Sequence, residues 1–135
     1  MNNWEKKNVW RKRGKDFMVE VFHSTVELPE SAKMYLTEGE NRWCVYAYIY
    51  PKHRLFNTFE GDNQWQDATQ DLPLHSGCTY LDYPQYKGET TAVKVGCDYN
   101  HAWYDHFTHY ADEKEASTVF SDADELFEYL SKELP

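Results

Sequence analysis

The run Arg42–Tyr50, RWCVYAYIY, leaves the chain little choice of local structure. Trp43, Val45, Ala47 and Ile49 alternate with Cys44, Tyr46, Tyr48 and Tyr50, a period-2 pattern of aromatic and β-branched residues that only a strand accommodates. Neither set contains a charge, which predicts a central strand covered on both faces. Pro51 ends it. A strand with two apolar faces needs partners, and three other stretches offer themselves. Phe17–Val26 alternates Phe17, Val19 and Val21 against Met18, Glu20 and Phe22. Leu74–Tyr83 and Thr90–Asp98 flank the turn residues Lys87-Gly88-Glu89 and predict an antiparallel hairpin, with residues 78–80 opposite roughly 96–98.

The rest of the chain reads as loops and helices. Met1–Asp16 is a basic arm or edge segment ending in a turn at Arg13–Asp16. Residues 17–135 then form one domain. Glu27–Glu40 reads as loop with a short helix at Ser31–Leu36, His53–Phe59 as a helical turn, and Asp62 as the N-cap of a polar segment to Gln70. Ser121-Asp122-Ala123-Asp124 resembles a capping box opening a C-terminal helix. Ala123, Leu126, Phe127, Leu130 and Leu134 recur on one face of that helix. The expectation is α+β: a mostly antiparallel sheet of about four strands with the C-terminal helix packed on one face.

Charge narrows the function. The net charge is −9, yet residues 1–15 hold six basic groups against Glu5 alone, leaving eight basic and twenty-two acidic groups elsewhere. Outside the arm such a surface repels nucleic acid and membrane headgroups. No apolar run reaches membrane-spanning length, and no secretory signal is evident. Cys44, Cys78 and Cys97 are an odd set without CxxC spacing, as expected of a reducing cytoplasm rather than a disulfide framework or zinc knuckle.

The chemistry-bearing residues gather in LHSGCTY at Leu74–Tyr80 and KVGCDYNHAWYDHFTH at Lys94–His109. The hairpin brings His75 and Asp98 to one end. Asn100–Tyr110 reads either as an ordered loop or as a helix, in which His101, Asp105 and His109 share a face. Neutral imidazoles and ionised carboxylates that converge hold a divalent cation; without one, they make a general base steadied by a carboxylate. The expected site is therefore His75, Asp98, His101 and Asp105, with Thr79 and Tyr80 as hydroxyl donors. Gly77 and Gly96 would let backbone N–H groups approach an anionic ligand. The competing reading is a structural Asp–His pair that satisfies buried polar groups. Cys78 and Cys97 read as small buried hydrophobes, with a thiolate nucleophile beside His75 or His101 as the alternative. His23 and His53 read as surface residues.

His75-Ser76-Gly77-Cys78-Thr79-Tyr80 followed by Gly96-Cys97-Asp98-Tyr99-Asn100-His101 resembles a family of small bacteriophage proteins. The family pattern is a His-Gly-Gly-x-Thr-aromatic block, a spacer, and a Gly-aromatic-Asp-x-x-His-x-x-Asp block. His75, Gly77, Thr79, Gly96, Asp98 and His101 match directly, and Asp105 matches with one residue inserted. Ser76 stands for a glycine and Cys97 for an aromatic. The resemblance implies an accessory protein acting in the cytoplasm of an infected bacterium, with counter-defence as a natural role. Joined to the residues, it suggests binding, and hydrolysis, of a small nucleotide-like or phosphate-bearing ligand. The alternative is an acidic, non-enzymatic inhibitor that mimics nucleic acid and blocks a host defence protein.

Overall fold

Five strands make one antiparallel sheet in the order β1-β2-β3-β7-β4. They are β1 (Val9–Gly14), β2 (Phe17–Thr25), β3 (Asn41–Ile49), β4 (Tyr80–Asp82) and β7 (Val93–Asp98); β5 (Gln85–Tyr86) and β6 (Glu89–Thr90) pair separately. The computed structural model describes residues 8–27, 30, 39–100 and 106–132. Residues 1–7 of the basic arm, and residues 28–29 and 31–38 with the expected Ser31–Leu36 helix, lie outside them. The rest of the arm is the edge strand β1. The fold is α+β, with one strand more than the sequence suggests.

The sheet sorts side chains by alternation. Phe17, Val19, Val21, Trp43, Val45, Ala47, Ile49, Val93, Val95 and Cys97 share one face and form the core. Against it lies α2 (Ser117–Ser131), burying Val119, Ala123, Leu126 and Leu130. Phe127 is half-buried, packing on Phe17 at 5.0 Å beneath the Lys12 ammonium. Trp10 and Trp43 stack at 5.9 Å and meet Phe120 edge-on, extending the core towards the edge strand.

Three local expectations are corrected. First, α2 begins one turn before Ser121, after Ala116, with no side-chain cap. The chain is turned instead by Asp112, whose Oδ1 accepts the Glu115 N–H at 2.8 Å and whose carbonyl accepts the Ala116 N–H. Ser121→Ala should therefore cost no more than about 0.5 kcal/mol, whereas Leu126→Ala should cost about 2–5 kcal/mol. Urea titration of both variants checks this, and a large loss at Ser121 would restore the cap. Second, the polar segment before Leu72 carries only the four-residue α1 (Asp67–Gln70). Gln66, not Asp62, precedes it.

Third, the hairpin is interrupted. Tyr80 pairs with Gly96 and Asp82 with Lys94, in the expected register. Residues Leu74–Thr79, however, are turn rather than strand. The cause is local: the Gly77 N–H bonds back to the Leu74 carbonyl, and Ser76 and Gly77 both take positive φ. A glycine would hold φ 56° more easily than Ser76 does. The connection from β4 to β7 is the small β5–β6 hairpin, turned by Lys87 and Gly88 at positive φ.

Candidate functional site

The two segments singled out from the sequence come together as expected, but not as one cluster. The Thr79 N–H donates to the Gly96 carbonyl at 2.9 Å, and the Asp98 N–H donates to Thr79 Oγ1 at 3.1 Å. Strand alternation then divides the rest. Cys97 and Tyr99 turn towards α2, and His75 stacks flat on Tyr99 at 4.4 Å with Phe107 edge-on at 5.3 Å. Tyr99 is buried and donates its hydroxyl to Asp122 of α2 at 2.8 Å. Asp98 turns the other way, registered with Cys44 on the opposite face. His101 and Asp105 lie outside the described residues, as does the proposed helix or loop between Asn100 and Tyr110, apart from a 3-10 turn at Phe107–His109. Among the described residues, no three His, Cys, Asp or Glu side chains gather as metal ligands.

The cysteines fit the small-hydrophobe reading. Burial pushes the Cys97 thiol up to about 12 and raises Cys78 and Cys44 as well. A thiol so placed stays protonated at neutral pH and is a poor nucleophile. Both isolated histidines prove to be structural. His53 is buried, with its ring 2.8 Å from the Leu130 carbonyl and accepting the Leu55 N–H at Nδ1. His23 stacks on Trp43 at 4.3 Å and bonds Asn41 Oδ1 at 2.9 Å. They escaped notice because a lone histidine carries no periodic signal.

Thr79, Tyr80, Gly96 and Asp98 instead border the sheet face that carries no described helix. Strand register sets out its rows. Arg11, Glu20, Tyr46, Gly96 and Tyr80 form one row, Arg13, Met18, Tyr48, Lys94 and Asp82 the next, and Val9, Phe22, Cys44 and Asp98 a third. The expectation that β3 is covered on both faces is thus corrected: Cys44, Tyr46 and Tyr48 are only half-buried, and none joins the core. At the centre, the Lys94 ammonium lies 4.4 Å from the Tyr46 ring centroid, 5.1 Å from Tyr80 and 5.3 Å from Tyr48. Tyr46 and Tyr80 meet edge-on at 5.2 Å over Gly96. A Cβ at Gly96 would collide with the Val45 carbonyl oxygen and sit 2.7 Å from Tyr46 Cδ1. The glycine serves side-chain packing here rather than a backbone nest.

Electrostatics give this face a definite character. Burial pulls the Lys94 ammonium down, but the Tyr48 hydroxyl and nearby Glu20 more than offset it, so the group stays charged at neutral pH. Burial, together with the adjacent Cys44 thiol, pushes the Tyr46 phenol well above its ordinary value, so it remains an O–H donor. Among the described residues no carboxylate pairs with Lys94, while Glu20 is taken up by Arg11 at 3.0 Å. The signal in the sequence was the Tyr46–Tyr48 alternation set against Lys94, legible only once the register is known.

No family model, curated protein or solved structure matches the chain. No described helix is long and apolar enough to cross a membrane.

Proposed function

We propose that this protein binds a small nucleotide-like ligand on the open face of its sheet, around Lys94. The observation that carries this reading is the Lys94 ammonium held among three tyrosine rings without a carboxylate partner among the described residues. A phosphate-bearing ligand needs a cation and hydroxyl donors, which Lys94 and the tyrosine hydroxyls around it supply. A nucleobase needs a flat aromatic surface, which Tyr80 and Phe22 offer, both exposed by more than a third. Asp98 and Thr79 lie at the rim, where sugar hydroxyls or base edges find acceptors and donors. The reading is one of binding. Hydrolysis would call on His101 and Asp105, and His75 is stacked on the far side of the sheet. The resemblance to phage proteins supports a role in which a host signalling nucleotide is sequestered in the infected bacterium.

The test is thermal shift and calorimetry against a panel of mono-, di- and cyclic nucleotides. At least one should raise the melting temperature of the wild type, and Lys94→Gln should weaken it at least about tenfold, roughly 1.4 kcal/mol. Tyr80→Ala should weaken base-bearing ligands more than inorganic phosphate. Indifference of Lys94→Gln would sink the reading. A host protein captured with steep salt dependence, untouched by that variant, would favour the nucleic-acid mimic instead.

A further inference from the structure

Away from the open face, the β1–β2 turn, the turn after β3 and the end of α2 enclose a cleft of about 420 Å³. It is lined by Lys15, Lys52, Arg54 and Lys132, with buried His53 in its wall and Asp16 as the one carboxylate among its described lining residues. Four of the chain's fourteen basic residues thus meet at one spot on a protein of net charge −9. Gathering like charges costs free energy, and the local structure offsets only part of it. Arg54 caps α2, donating to the Lys132 carbonyl at 2.6 Å and the Tyr129 carbonyl at 3.0 Å. The C-terminal helix dipole contributes roughly half a negative charge. Set against four cations, Asp16 and the dipole leave the lining strongly positive.

The cleft is also rigid. The Asp16 carbonyl accepts the Tyr50 N–H at 3.0 Å, tying the β1–β2 turn to the end of β3. The Tyr50 carbonyl accepts the His53 N–H at 2.9 Å, folding the next turn back. His53 Nδ1 accepts from the Leu55 N–H, so its Nε2 carries the proton and donates to the Leu130 carbonyl at 2.8 Å. That bond clamps the turn to α2. The backbone at Lys52 and Arg54 is thereby held at the cleft, and the Arg54 guanidinium is oriented by its two carbonyl acceptors.

We infer that this cleft binds a compact polyanion, a di- or triphosphate group of a small phosphorylated ligand. Several cations converging on a concave site are what such a group requires, and the volume exceeds that of a single phosphate. The inference stands apart from the open-face reading, because Lys15 and Lys52 line the cleft and take no part in the Lys94 centre.

Calorimetric titration with pyrophosphate tests it, at low and at physiological salt. The wild type should bind, and Lys15→Gln with Lys52→Gln should lose at least about tenfold in affinity. Both lysines are exposed, so the double variant should keep the wild-type circular dichroism. Lys87→Gln, an exposed lysine in the β5–β6 turn, should leave binding unchanged. No pyrophosphate binding at millimolar concentration, or equal weakening by Lys87→Gln, would overturn the site. So would a single-stranded oligonucleotide that binds through Lys15 and Lys52 while pyrophosphate does not. None of these failures touches the Lys94 result.

Discussion

Trp43→Ala should be the most damaging single substitution described here, costing about 3–5 kcal/mol of folding free energy. Trp43 is 1 % exposed at the centre of the sheet, stacked between Trp10 and His23 and met edge-on by Phe120. Its indole N–H also donates to the Tyr110 carbonyl at 2.9 Å, pinning the segment after β7 to the core. Truncation removes the rings' common partner and strands that carbonyl. A domain of this size has a total stability of about 5–15 kcal/mol, so the loss is a large fraction of the whole and should show as a marked fall in melting temperature. Trp43→Phe separates the two contributions. It keeps much of the packing and loses the hydrogen bond, and should cost about 1–3 kcal/mol. Urea and thermal melts of the pair give the comparison. Equal losses would place the whole effect in the hydrogen bond.

Gly96→Ala should destabilise the sheet by about 1–3 kcal/mol or more and abolish ligand binding at the same time. The added methyl collides with backbone in the neighbouring strand and presses on Tyr46, so either β3 shifts or the ring leaves Lys94. Gly77→Ala is the control. At φ 88° with open space around it, Gly77 meets only conformational strain, of about 1–2 kcal/mol. The two glycines stood as equivalents in the sequence, both read as ways to bring backbone near a ligand. If melting and nucleotide titration show Gly96→Ala to be the milder change, the tyrosine arrangement does not depend on that glycine.

The strands were legible because alternation survives without knowledge of partners: Phe17–Thr25 and Asn41–Ile49 fall within a residue of the expected bounds. Leu74–Thr79 was not, because a positive φ at Ser76 breaks a run whose composition favours strand. The Ser121 cap failed for a related reason: an acidic Ser-Asp-Ala-Asp run suits the exposed side of a helix as well as its start. The site divides along the same line. Thr79, Tyr80, Gly96 and Asp98 are brought to one border by register, as hairpin reasoning predicts. Whether a residue at a strand end faces one layer or the other turns on a single position of register. That parity turns Tyr99 towards α2, where His75 stacks on it, and Asp98 towards Cys44. The Lys94 centre needed the cross-strand neighbours of three strands at once, and no stretch of one strand contains that information.

The sheet's two borders bear on how the protein behaves in a crowded cell. A chain with twenty-three aromatic residues and a sheet face that no described helix covers would be expected to stack strand upon strand with its own copies. One border is β1, whose Arg11, Lys12 and Arg13 would place like charges side by side in any such extension. The other is β4, three residues long and followed at once by Tyr83 and Pro84, which gives an incoming strand almost no ladder to join. Both borders therefore resist extension of the sheet by a second copy, strand upon strand.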